Sequence, residues 1–122
     1  MKPAINSKID DIRTIYRTQE FDEFYISLDE KVKSKFEYTF GVIQTIYVLP
    51  IKYVKHLENT DLYEMRVSVG SNEYRTVLFA IDNKNVILST KIILLCGFLK
   101  KSEKDYKKQI IRAVQLLKGL TL

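Results

Sequence analysis

The sequence predicts an α+β domain: a short N-terminal strand, a helical pair, an antiparallel β-meander and a C-terminal helix. Two observations carry this. The apolar period is helical in the first half of the chain and alternates in the second, and Gly70-Ser71-Asn72 has the length and chemistry of a hairpin loop between two alternating runs. Size is the third. A chain of 122 residues, 46% of them apolar, suffices for one core and is too short for two ordinary ones, so residues 1–122 are expected to form one domain.

Residues 11–17, Asp-Ile-Arg-Thr-Ile-Tyr-Arg, read as a short strand because β-formers are bounded by polar residues. From about residue 19 the spacing becomes helical: Phe21, Phe24, Tyr25 and Leu28, then Val32, Phe36, Phe40, Ile43 and Tyr47. Ser27-x-x-Glu30 has the form of a capping box, so two helices with a break near 27–29 are expected. Pro50 disfavours helix at Leu49 and ends the second one.

Leu62–Val69 alternates, with Tyr63, Met65, Val67 and Val69 on one face and Leu62, Glu64, Arg66 and Ser68 on the other. Tyr74–Ile81 is its hairpin partner. Asp82-Asn83-Lys84-Asn85 makes the next turn, and Val86–Leu99 reads as a long strand, bent near Ser89-Thr90 or Gly97. Ser102–Lys118 is an amphipathic helix whose apolar stripe is Tyr106, Ile110, Ala113, Val114 and Leu117. The order is β-α-α-β-β-β-α, and the helices are expected on one face of a small sheet.

Several classes of function are set aside by composition. The longest apolar run, Ile92–Leu99, is eight residues, against roughly 20 for a membrane helix. Met1-Lys2-Pro3-Ala4-Ile5-Asn6 lacks the apolar stretch of a secretory signal. One cysteine, Cys96, cannot form an internal disulfide, and its apolar flanks suit a buried thiol better than a nucleophile. A cytoplasmic protein with no membrane partner is the expectation. No histidine, cysteine or carboxylate group has metal-ligand spacing, and no glycine-rich phosphate loop exists, so neither a metal nor a cofactor is expected. His56, the one histidine, reads as a surface or structural residue.

Charge is unevenly placed. Residues 84–122 hold nine bases against two acids, a net +7, whereas residues 1–83 are net −2. Lys100, Lys104, Lys108 and Arg112 recur every four residues. Like charges one turn apart destabilise an isolated helix by roughly 0.2–0.5 kcal/mol per pair. The stripe therefore points to an anionic partner; a solvated lysine-rich face is the other reading.

The remaining chemistry is cationic. Glu64 and Arg66 share a strand face, Arg75 lies on the paired strand, and Lys100 and Lys101 follow the last strand. Arginine offers a planar fork for phosphate, and lysine a point charge or a base. A plain strand-face ion pair between Glu64 and Arg66 is the alternative.

These residues lie in a familiar order. Leu62-Tyr63-Glu64-Met65-Arg66, then Tyr74-Arg75, then Leu94-Leu95-Cys96-Gly97-Phe98-Leu99-Lys100-Lys101-Ser102, then Ile110-x-x-Ala113 resemble the RelE/ParE toxin superfamily. They are most similar to its phage-derived Gp49-like HigB branch, toxins of type II toxin–antitoxin systems. By motif the resemblance spans residues 60–114. It implies a RelE-like fold and a ribosome-dependent mRNA endonuclease that needs no metal, silenced by a cognate helix-turn-helix antitoxin. In such enzymes the 2′-hydroxyl attacks the adjacent phosphate, giving a 2′,3′-cyclic end. The resemblance places Arg66 and Arg75 on the scissile phosphate, Lys100 or Lys101 as base or second clamp, and Glu64 as orienter of Arg66. Lys104, Lys108 and Arg112 would steer ribosomal or messenger RNA. Phe98 has two readings, stacking on a base or filling the core, and Tyr106 two, core stripe or acid. Two departures stand out: Cys96 replaces a histidine common in relatives, and Asp105-Tyr106 replaces the usual Thr-Pro. The superfamily also contains gyrase inhibitors, and a catalytically degenerate relative that only binds RNA or antitoxin is the third alternative.

Overall fold

The computed structural model describes residues 11–122. The N-terminal residues read above for a secretory signal lie outside the described residues. In chain order the elements are β1 Thr14–Arg17, α1 Gln19–Ile26, α2 Glu30–Thr45, β2 Val54–His56, β3 Leu62–Val69, β4 Asn72–Ala80, β5 Lys91–Leu99 and α3 Glu103–Lys118. The sheet order is β1-β5-β4-β3-β2; β1 runs parallel to β5 and every other pairing is antiparallel. The expected α+β class holds.

Local chemistry fixes the helix starts. Thr18 caps α1 by accepting from the Phe21 N–H, and its hydroxyl donates to the Leu95 carbonyl 2.6 Å away. Asp29, not the expected Ser27, caps α2 by accepting from the Val32 N–H; Ser27 closes α1 by donating to the Phe24 carbonyl. Helix α2 stops at Thr45, before Pro50 can act. Arg13 reaches its end, donating to the carbonyls of Ile43 at 3.0 Å and Ile46 at 2.7 Å. The same guanidinium bonds Tyr47, Val86 and Ile87. It thus satisfies carbonyls that the helix end and two loops would otherwise leave orphaned.

Three expectations are corrected. The segment after Pro50 contributes a fourth meander strand, β2, too short to show an alternating pattern. Residues 86–90 are not strand: Arg13 holds the Val86 and Ile87 carbonyls, and Asp82 gathers the Ser89 and Thr90 hydroxyls and the Thr90 and Lys91 N–H groups. Finally, the helices do not share a face. Helices α1 and α2 bury Ile15, Met65, Val67, Leu78, Ile92 and Leu94, while α3 covers Leu62, Val77, Ile93, Leu95, Cys96 and Phe98 on the other side. The central strands need this, since β5 is buried from Ile92 to Phe98 without interruption.

A β-bulge sets the frame of the site. Val77 pairs with Cys96 and Leu78 with Leu94, leaving Leu95 as the extra residue on β5. Leu95 and Cys96 consequently both face α3. Gly97 then turns toward α1, where an added Cβ would stand 2.4 Å from the Phe24 ring. Beyond it the ladder continues through the Lys100 N–H to the Glu73 carbonyl, 2.8 Å apart.

Candidate active site

The hairpin of β3 and β4 turns through Gly70, whose φ of +61° a side chain would strain. Its register sets Arg66 directly opposite Arg75. Two arginines facing across a sheet repel. The repeated pattern Glu-x-Arg, at Glu64–Arg66 and Glu73–Arg75, places a carboxylate diagonally beside each. Glu64 Oε2 lies 3.3 Å from Arg66 Nε and 3.9 Å from Arg75 Nε. Glu73 Oε1 lies 3.5 Å from an Arg75 terminal nitrogen. A hydrogen bond from Ser68, and after it the charges of Arg75 and Arg66, hold the Glu73 carboxyl below its usual range against a smaller opposing effect of burial.

Helix α3 closes the cluster from above. The Ser102 hydroxyl caps it by accepting from the Asp105 N–H at 3.1 Å, which starts the helix where Tyr106 lies over the sheet. The Tyr106 hydroxyl donates to Glu64 Oε1 in a short hydrogen bond. Burial first, and then the bond to anionic Glu64, raises the Tyr106 phenol above its ordinary value, so it keeps its proton throughout the neutral range. The Phe98 ring packs 6.0 Å from the Tyr106 ring, and Lys100 Nζ sits 4.9 Å over it. Lys100 is also 3.7 Å from Glu103.

The cluster is less open than a solvent-facing groove. Glu64 and Arg75 are buried, at 3% and 4% exposure. The Arg75 Nε–H has no hydrogen-bond partner among the described residues, and one terminal nitrogen is spent on the Tyr74 carbonyl at 3.0 Å. Solvent reaches Arg66 and Lys100, whose side chains are 29% and 32% exposed. Arg75, which the resemblance places on the scissile phosphate, belongs to a central strand covered by α3 and sits behind the rim rather than on it. The expectation for Phe98 is corrected. It is buried in the α3-side core, so its ring backs Tyr106 and offers no free face to a base.

The structure therefore brings Glu64, Arg66, Arg75, Lys100 and Phe98 together. Lys101, Lys104, Lys108 and Arg112 are exposed, and no described contact ties them to Glu64. Tyr106 is the residue that sequence reasoning left between two roles; its stripe position gave no hint of a partner 42 residues away. Glu73 was passed over, although its same-face spacing to Arg75 repeats that of Glu64 to Arg66. Cys96 is buried beneath α3 with Sγ 3.8 Å from the Gln109 carbonyl; burial pushes its thiol up to about 11, partly offset by Arg112, so it is no nucleophile at neutral pH. Among the described residues no cluster of potential metal ligands occurs, and no helix is long and apolar enough to cross a membrane.

Comparison with known proteins follows the same lines. No curated protein matches the chain. Among solved structures, a double-mutant form of the E. coli toxin RelE in the free state is similar at a TM-score of 0.57 and 14% identity. The match covers 84% of this chain and 97% of that one, and at such identity it shows the fold alone. A family model described as "Phage derived protein Gp49-like (DUF891)" matches residues 23–118. A protein with the RelE fold whose sequence matches that model over most of its length belongs to the phage-derived Gp49-like family.

Proposed function

We propose that the chain is a single-domain toxin of a type II toxin–antitoxin system, acting in the cytoplasm as a HigB-like, ribosome-dependent mRNA endonuclease. The observation that carries this is the facing pair Arg66 and Arg75 with the Glu64 carboxylate between them and the Tyr106 phenol bonded to it. Such a set of fixed cations suits the charge that gathers on phosphorus during transesterification.

In this reading the substrate 2′-oxygen attacks the adjacent phosphorus, forming the O2′–P bond as the P–O5′ bond breaks. Arg66 and Lys100, the two cations at the rim, clamp the non-bridging oxygens, and Arg75 adds its field from behind. Glu64 orients Arg66. Lys100 is the second clamp, and Lys101, as the free amine, takes up the 2′ proton. Tyr106, protonated and beside the rim, supplies a proton to the departing 5′-oxygen. Lys104, Lys108 and Arg112 steer ribosomal or messenger RNA. A helix-turn-helix antitoxin is the cognate partner.

A second reading keeps fold and antitoxin contact without cleavage. It is favoured by Cys96, whose buried protonated thiol supplies no chemistry where the family resemblance leads one to expect histidine. Inducing the protein and mapping message 5′ ends separates the readings. Cuts within codons of translated messages support the nuclease; intact messages with DNA-damage signalling would mean gyrase inhibition, and intact messages with tight antitoxin binding the non-cleaving relative.

A further inference from the structure

Beside the arginine pair, at the edge of β3 beyond the end of β2, lies a pocket of about 220 Å³. Its polar and aromatic lining comes from Lys35, Tyr38, Lys52, Tyr53, Arg66 and Ser68. Three cations line it and no carboxylate does. Tyr38 is 64% exposed. It is held there by Tyr53, with ring centroids 6.2 Å apart, and Lys52 Nζ stands 5.5 Å from the Tyr53 centroid. The hydrogen bond with Tyr53 dominates at the Tyr38 hydroxyl and raises it, and the charges of Lys52 and Lys35 oppose this more weakly.

We propose that this pocket is a nucleotide subsite, which binds one base and phosphate of single-stranded RNA flanking the scissile position. The proposal rests on the nuclease reading above and extends it. Exposed aromatic rings interleaved with lysines form the combination that tracks single-stranded nucleic acid, since any base can stack and every phosphate is anionic. Arg66 belongs to both the pocket and the Glu64 cluster, so the two meet at this residue on the edge of β3. The volume argues the same way. It falls below the roughly 300–1,000 Å³ of pockets that enclose a whole small ligand, and suits one unit of a polymer. An acidic protein segment would use the lysines, whereas a nucleotide uses the lysines and the exposed ring together.

The test is fluorescence anisotropy of the full chain with labelled single-stranded RNAs of three and twelve nucleotides, together with message mapping after induction. Tyr38→Ala is expected to weaken the twelve-nucleotide RNA at least about fivefold, the low end for loss of one stacked base, Lys35→Ala/Lys52→Ala is expected to weaken it too, and both are expected to leave the three-nucleotide RNA unchanged. Tyr38→Phe keeps the ring and is expected to bind like the wild type. Wild-type affinity of both variants for the longer RNA, with message cuts intact, overturns the subsite and leaves the nuclease standing. Variants that bind and cut RNA normally but escape antitoxin neutralisation overturn it in favour of an acidic protein partner. A wild-type chain that neither binds RNA nor cuts messages overturns the nuclease reading and the subsite with it.

Discussion

Arg66 and Arg75 are one residue type on facing strands, yet burial gives them different loads. Arg66 is part-exposed and touches Glu64 from the rim; Arg75 is buried against two carboxylates. Replacing Arg66 with alanine is therefore expected to abolish message cleavage and to cost about 1–2 kcal/mol, because it removes the nearer cation from buried Glu64 but at a rim that water can enter. Arg75→Ala is expected to abolish cleavage too, but also to cost on the order of 3 kcal/mol, because it strips a buried carboxylate of a cation. Urea unfolding of both variants and the wild type beside the 5′-end map checks this; equal midpoints for the two variants would show that Arg75 carries no more structural load than Arg66. The same residues show how far the site was legible. Glu64, Arg66 and Arg75 could be placed together because period-two spacing and a short hairpin fix their register. The Tyr106 bond could not, because it depends on which face of the sheet receives α3, and no local spacing decides that.

Connections between elements rest on a few polar anchors. Asp82 is one. Burial would raise its carboxyl, but hydrogen bonds from Ser89 and Thr90 and from the Thr90 and Lys91 N–H groups outweigh that and hold it well below the usual carboxylate range. A depressed folded value stabilises fully above the unfolded value, about 3.9, and that stability is lost as pH falls through the folded one. Stability is thus expected to decline on acidification below about pH 4. Asp82→Asn should lower neutral stability and flatten that decline, and urea midpoints between pH 2 and 7 measure both. Inside β5, Gly97 sets how closely α1 packs. A methyl there meets the Phe24 ring, so Gly97→Ala should cost about 1–3 kcal/mol by overpacking, read as a shift in thermal midpoint; an unshifted midpoint would show that α1 yields. The strand β3 was readable to its ends, since one of its faces carries Glu64 and Arg66. That helices cover both faces of the sheet was readable in principle. The unbroken apolar run Ile92–Leu99 marks a strand covered on both faces, which excludes helices on one side only. The parallel pairing of β1 with β5 was not readable, because it joins residues about 77 apart with no turn between them to set the register.

Across the molecule the charges are divided by task. Those of the Glu64 cluster are matched, acid against base, and held in place. Those of α3 are not: Lys104, Lys108 and Arg112 stand exposed one turn apart, in a segment of net +7. Such spacing works against the helix by a few tenths of a kcal/mol per pair, so removing it should stabilise the fold slightly. If the stripe serves RNA, removal should also weaken binding through counterion release rather than through chemistry. For the triple variant Lys104→Ala, Lys108→Ala, Arg112→Ala, the slope of log affinity against log salt for single-stranded RNA is expected to become shallower by about 2, at roughly 0.7 per phosphate contact. Single-turnover cleavage by the bound complex should be unchanged and the urea midpoint equal or higher. An unchanged slope with lost cleavage would move these residues into the reaction, and an unchanged slope with unchanged cleavage would make the stripe a solvated surface.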